Sequence, residues 1–203
     1  LPDDLIRVDL SEFRDDLKGK QIVGQVEKNR LHPYPDRSKI QAGALSGRNL
    51  EVVYADSYID VFFLQIQGSG RVLLQDGSIM RLGYAGSNGR RYYAIGRELI
   101  KQGILDKSNV SMQTIRTWLM DNPMRAHTLM NLNQSYVFFR ELKGPGPIGS
   151  LGVPLTPGRS IAVDRHFIPL GAPIWLQASH PSSNPTRPDR PLNRLMLAQD
   201  TGG

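Results

Sequence analysis

Two aspartates close short apolar runs in this chain, Asp164 after "SIAV" and Asp200 after "LMLAQ". Strands that run out in carboxylates beside turn residues can aim both groups at one rim of a barrel. Carboxylates held close together have their pKa values driven apart, which supplies an acid and a base near neutral pH. The same residues also fit a structural role, with Asp164 paired to Arg165 or a backbone amide and Asp200-Thr201-Gly202-Gly203 forming a turn. Asp-Thr-Gly is the tripeptide of aspartic-protease chemistry too, but that chemistry needs two such aspartates sharing a proton. Only one copy occurs here.

A second candidate is "FFLQIQGSGRV", in which Phe62, Leu64 and Ile66 alternate as in a strand and leave Gln65 and Gln67 on the opposite face. Gly68, Ser69 and Gly70 then make a turn. Side-chain amides and open backbone N–H groups both donate and accept, which suits hydroxyl and acetamide recognition. A phosphate loop would need Lys-Ser/Thr after the glycines, where Arg71-Val72 stands. "LGYAGSNGR" reads as a similar loop ahead of a helix, with Tyr84 as a ring platform, the backbone of Ala85 and Gly86 open, and Asn88 as a further amide. Taken singly, each stretch is better accounted for by plain hairpin chemistry.

Other constellations are absent. His32, His127, His166 and His180 show no mutual ligand spacing, so no metal site is expected. No serine stands in a nucleophile elbow, and the prolines of "GPGPIG" forbid a dinucleotide turn. Trp118 lies at helical spacing with Ile115 and reads as core. Trp175 points away from Ile174 and Leu176, and it reads as core on the far face or, failing that, as a sugar platform.

The elements that must carry these residues are short. Twenty glycines and fourteen prolines cut the 203 residues into pieces typical of a β-rich fold. "LIRVDL", "KQIVGQVE", "LEVVYA", "RVLLQDG", "SYVFF", "SIAVD", "APIWLQ" and "RLMLAQD" read as strands. "DRSKIQAGAL" reads as a helix capped by Asp36 or Ser38, with Ile40, Ala44 and Leu45 on one stripe. Three more helices fill the middle. One has Ile95, Leu99 and Ile100 on a face and ends at Gly103. The next starts at Ser111, and the third has Asn122 as cap and Pro123 in its first turn. "KGPGPIGSLGVPLTPGR" (143–159) is the expected domain boundary, and the loop from Ser179 to Pro191 is expected to be mobile.

No cysteine is present, which excludes disulfides and thiolate chemistry. No stretch approaches the roughly 20 apolar residues of a membrane span. The net charge of +6 suits an acidic partner or simply a basic surface. Lys and Arg are scattered without a block, which disfavours nucleic acid. A start at Leu1 with no signal segment is read as a processed or excised chain.

Taken together, "AGALSGR", "FFLQIQGSGRV", "GYAGSNGR", "SMQTIR", "YVFF", "VPLTPGRSIAVDRHFIPLGAPIWL" and "LMLAQDTGG" resemble the membrane-bound lytic murein transglycosylase A family, in its order and over nearly the whole chain. The resemblance implies a mainly β protein with a few helices. Residues 1–142 would be an inserted, smaller β-barrel-like domain forming one wall of a glycan groove. Residues 143–203 would be the return into a six-stranded double-psi β-barrel, the three-aspartate domain, incomplete here and C-terminally truncated.

It implies cleavage of peptidoglycan with formation of 1,6-anhydromuramic acid, without metal or cofactor. Asp164 and Asp200 would be supporting aspartates, with the principal acid/base Asp beyond Gly203, so that the chain by itself is expected to be inactive. Gln65, Gln67, Gly68, Ser69, Gly70, Tyr84, Ala85, Gly86 and Asn88 would hold the glycan. The implied partner is the glycan strand, not nucleic acid. The implied setting is the periplasmic side of the bacterial outer membrane, for a monomer attached through any lipid anchor outside these residues. A non-catalytic glycan-binding module on the same barrel is the alternative.

Overall fold

Caps and glycines, more than apolar periodicity, set where the elements begin and end. The computed structural model describes residues 1–144, 146–180, 182, 186 and 188–202, in two compact units, Leu1–Leu142 and Lys143–Gly203.

The first unit opens with an antiparallel sheet of β1 (Ile6–Asp9), β2 (Gln21–Glu27) and β3 (Arg30–Pro33). Lys28 and Asn29, both at positive φ, make the tight turn between β2 and β3, the geometry that matches the twist of a two-residue hairpin. A single helical turn, α1 (Arg37–Lys39), is capped by Asp36, whose carboxylate accepts from Lys39 N–H. It widens over Ile40–Ala44 and breaks at Gly43, φ 101°. Ile40 is buried but Ala44 is exposed, so the expected stripe does not form.

The next helix corrects the strand expected at "FFLQIQ". Residues Tyr58–Gln67 form α2, with Ser57 accepting from Asp60 N–H at its start and Gly68 in the left-handed conformation at its end. Ile59, Phe62 and Phe63 are buried together at helical spacing. A short apolar run does not fix its own period; the cap residues on either side do. "LEVVYA" forms no strand either, because no neighbouring edge pairs with it.

A second antiparallel sheet joins β4 (Ser69–Leu73), β5 (Ile79–Ser87) and β6 (Val137–Glu141) in that order, with a bulge at Ala85. "LGYAGSNGR" is therefore mostly strand β5, not a loop. Between β5 and β6 stand α3 (Ile95–Lys101), α4 (Met112–Asp121) and α5 (Pro123–Asn131). Ser111 and Thr114 form a reciprocal capping box on α4. Asn122 closes α4 by donating to Trp118 O, and Pro123 opens α5. Ile59, Phe62, Phe63, Leu99, Leu119 and Met130 lead the core that these helices share, with Trp118 packed at its margin.

In the second unit β7 (Ser160–Val163), β8 (Pro173–His180) and β9 (Arg190–Thr201) are ordered β7-β9-β8. β7 runs parallel to β9, and β8 antiparallel. Met196 and Ala198 are buried on one face. Trp175 pairs with Leu195 on the other and is 61% exposed, which corrects its assignment to a core. Pro181, 183–185 and Arg187 of the loop expected to be mobile lie outside the described residues.

Among the described residues the fold is thus mixed, with more strand than helix, in three three-stranded sheets. No sheet closes on itself among the described residues. The described residues of the second unit supply three strands in an open sheet, fewer than the six of the double-psi β-barrel that the resemblance implies and expects to be incomplete here.

Candidate functional site

Parallel pairing of β7 and β9 carries both aspartates to the same end of the second unit's sheet. Ala162 lies opposite Asp200, and Asp164 follows Val163 directly. The two carboxylates have separate partners. Asp200 Oδ1 accepts from Ser150 N–H at 3.1 Å and from Ser150 Oγ at 2.9 Å. Ser150 Oγ also lies 2.6 Å from Thr201 Oγ1. Asp164 Oδ1 accepts from His166 N–H at 2.8 Å and meets His166 Nδ1 at 2.8 Å.

Both carboxyls are pulled below the ordinary aspartate range. For Asp200, partial burial works upward and is the largest single influence. It is outweighed by hydrogen bonds from Thr201 N–H, Ser150 Oγ and Ser150 N–H together. For Asp164, the His166 backbone and then its ring hold the carboxylate ionised. The expected splitting of the pair into one high and one low value is therefore absent: each anion is stabilised by its own donors. Asp164 lines an open recess of about 410 Å³ with Arg165, His166, Thr201 and Gly202. Asp200 lines another of about 230 Å³ with Pro147, Thr156, Gly158 and Ala162.

The glycan candidates of the first unit divide by burial. Gln65, on α2, is 4% exposed and accepts from Arg37 Nη1 at 2.5 Å. Asn88 is 0% exposed; its Nδ2 donates to Pro35 O and Gln134 O, both at 2.9 Å, and its Oδ1 accepts from Tyr136 N–H and Arg90 N–H. These two amides face the interior and bind backbone and Arg37, not solvent. Gln67 is exposed, with its Nε2 3.3 Å from Met112 Sδ. Gly68 caps α2, Ser69 begins β4 exposed, and Gly70 lies where a Cβ would overlap Leu64. On β5, Tyr84 is 49% exposed opposite Phe139, Ala85 occupies the bulge, and a Cβ at Gly86 would meet Leu1.

Arg37 is the residue that sequence reading missed. It is 1% exposed and donates to Asn133 O, Gln65 Oε1 and Ser135 O, with its guanidinium 4.8 Å from the Phe62 ring centre. Burial without a facing carboxylate pushes it down to about 10, so it remains charged at neutral pH. Ser150 was missed as well. It stands 50 residues from Asp200, and no local pattern signals such a contact. Among the described residues no group of three or more His, Cys, Asp or Glu side chains gathers to hold a metal.

Residues 1–140 match the family model described as the MltA specific insert domain, and residues 159–203 match the 3D domain. The chain belongs to the MltA family. A Vibrio cholerae protein named membrane-bound lytic murein transglycosylase A is 36% identical over 171 residues, which is 83% of this chain and 46% of the relative. The structure of a membrane-bound lytic murein transglycosylase from Agrobacterium tumefaciens superposes with TM-score 0.79 at 39% identity, over 100% of this chain and 56% of the other. Escherichia coli MltA with bound chitohexaose matches with TM-score 0.71 at 34% identity, over 90% of this chain and 54% of the other. The chain is thus homologous to MltA lytic transglycosylases and spans about half the length of these relatives. No helix among the described residues is long and apolar enough to cross a membrane.

Proposed function

We propose that this chain is the glycan-holding part of a lytic transglycosylase. The reaction cleaves the β-1,4 bond between N-acetylmuramic acid and N-acetylglucosamine in peptidoglycan and leaves 1,6-anhydromuramic acid ends. The observation that carries the reading is the parallel strand pair ending in two carboxylates, each held ionised by its own donors, in a chain of this family.

The C6 hydroxyl of the muramic acid attacks its own anomeric carbon, so the nucleophile already belongs to the ring it closes on. As the C1–O bond breaks, one carboxyl protonates the leaving O4 and the resulting carboxylate takes the C6 proton. No water is consumed, so a second group to activate water is not required, unlike in hydrolysis. A proton donor needs a pKa near working pH, and Asp164 and Asp200 are both shifted the other way. They suit electrostatic support of the oxocarbenium-like transition state and of the donor carboxyl. The donor is expected C-terminal to Gly203, in the three-aspartate barrel that β7, β8 and β9 would belong to. Gln67, Ser69, Gly70 and Tyr84 are the exposed or half-buried candidates for the sugar chain, and the E. coli relative with bound chitohexaose supports a glycan as the ligand class. The reading includes a periplasmic setting at the outer membrane.

The test is digestion of purified sacculi by the natural full-length protein that contains these residues, followed by weighing of the released muropeptides. Products one water lighter than hydrolytic ones support the reading. Ordinary reducing ends would make the protein a hydrolase, and tight binding without release would leave a glycan-binding module.

A further inference from the structure

The sheet of β4, β5 and β6 has one face on α2 and one toward solvent. A Cβ at Gly70 would overlap Leu64 of α2, which puts Gly70 and its partner Leu82 on the covered side. Directly opposed residues of an antiparallel ladder share a face, and faces alternate along each strand. Ser69 opposes Gly83, Arg71 opposes Arg81, and Gly83 opposes Arg140, so all of these share the outer face. Leu142, whose N–H donates to Arg81 O, lies over Gly83, where a Cβ would strike its methyls.

Three guanidinium side chains therefore rise from three neighbouring strands around a floor of Gly83 and Leu142. Arg71 and Arg140 are exposed, and neither pairs with a carboxylate among the described residues. Glu141, next to Arg140, faces the covered side, and Asp76 in the β4–β5 turn is engaged by Ser78. Arg81 is already engaged, so the charge this face leaves for an incoming anion is that of Arg71 and Arg140 on the two outer strands.

We propose that this face binds the carboxylates of the stem peptides borne by the glycan strand, an inference that rests on the glycan-strand reading above. Strands lie about 4.8 Å apart, so the array spans about 10 Å, which suits two carboxylates along an extended peptide more than one compact anion. Exposed Leu73 and Ile79 continue the same face and offer contact to peptide methyl groups. The turn beyond them, Gln75-Asp76-Gly77-Ser78, is polar and carries a carboxylate, which argues against insertion into an anionic bilayer.

The experiment compares the full-length natural protein with R71Q/R140Q and R71K/R140K on intact sacculi and on glycan strands stripped of peptide by an amidase. R71Q/R140Q is expected to raise KM on peptide-bearing material about tenfold, with kcat changed less than about twofold and no effect on stripped strands. The lysine pair should regain most of the loss. Equal change on both substrates, or none on either, overturns the proposal. So does a loss confined to flotation with phosphatidylglycerol vesicles, which would assign the face to lipid. If the unmodified protein forms no anhydro ends, the proposed reaction fails separately. Co-sedimentation with peptide-bearing against stripped strands then still decides the arginine face.

Discussion

Replacing Arg37 with Met keeps much of the side-chain volume and removes every donor. Three acceptors then lose their partner: Asn133 O and Gln65 Oε1 on buried residues, and Ser135 O on a half-buried one. A stranded buried acceptor costs about 1–3 kcal/mol, and water reaching Ser135 O reduces its share. Two buried acceptors give about 2–6 kcal/mol. From this must be taken what the native protein loses by desolvating a guanidinium with no carboxylate opposite, which R37M relieves. The net expectation is about 3 kcal/mol, a large part of the ~5–15 kcal/mol that holds a domain together. Urea unfolding followed by Trp118 fluorescence, in a W175F background, measures it. Trp118 lies at the helical core with Arg125 5.2 Å from its ring centre, so its signal reports this unit. At an m-value near 2 kcal/mol/M the midpoint falls by about 1.5 M. Q65M alone should cost about 2 kcal/mol by leaving Arg37 Nη1 short of a partner. The double variant should cost close to the larger single, a coupling of at least ~1 kcal/mol. An R37M loss below ~1 kcal/mol, or strict additivity in the double variant, would refute the polar tie.

The remaining expectations concern the carboxylates and the amides. S150A removes one donor from Asp200, so its pKa should rise, as carboxyl-carbon NMR titration would read. Because the folded value lies below the unfolded one, this group supports the fold above about pH 4 and loses that support as pH falls; the S150A acid transition should therefore move to higher pH. D164N and D200N in the full-length protein should each lower kcat on sacculi by about tenfold or more while co-sedimentation persists; unchanged turnover would remove both from the reaction. N88A should destabilise by about 2–4 kcal/mol and raise KM only in step with that loss, since its amide is fully engaged inside and offers the sugar no contact of its own. Y84A should do the reverse, raising KM about fivefold at a stability cost under ~1 kcal/mol.

Much of this architecture could be read from residues that stop elements. Ser111, Asn122-Pro123 and Gly103 bound their helices as expected, because caps act within one turn of chain. "SIAV" and "LMLAQD" are strands as read, yet nothing local says that they pair in parallel with β9 in the middle. The error at "FFLQIQ" has a physical source: apolar residues at 62, 63, 64 and 66 satisfy both periods, and the helix is chosen by Ser57 and by the shared burial of Ile59, Phe62 and Phe63. Alternation with Ile174 and Leu176 puts Trp175 on the far face of its strand but does not say whether that face is covered; its cross-strand neighbour Leu195 is exposed too, so the face is open. Arg37 was invisible for the opposite reason. A charged residue in a polar stretch reads as surface, and only the fold reveals the carbonyls that draw it inside.

The division among the amides bears on the proposed site more than their number does. Gln, Asn and backbone carbonyls are equally able to bind a sugar or to tie one loop to another, and burial decides which they do. Asn88 holds Pro35, Gln134 and Tyr136, so the end of β5 is fixed to the segment that leads into β6. Gln65, through Arg37, fixes α2 to Asn133 and Ser135 of that same segment. The residues left exposed beside these ties, Gln67 and Ser69 after the helix and Tyr84 on β5, sit on backbone that cannot shift without breaking them. A binding surface set on such backbone loses little further freedom when a ligand arrives. On this reasoning the buried amides contribute to glycan binding by holding the exposed ones still, and loosening R37M should weaken sacculus binding in proportion to its loss of stability, even in protein that remains folded.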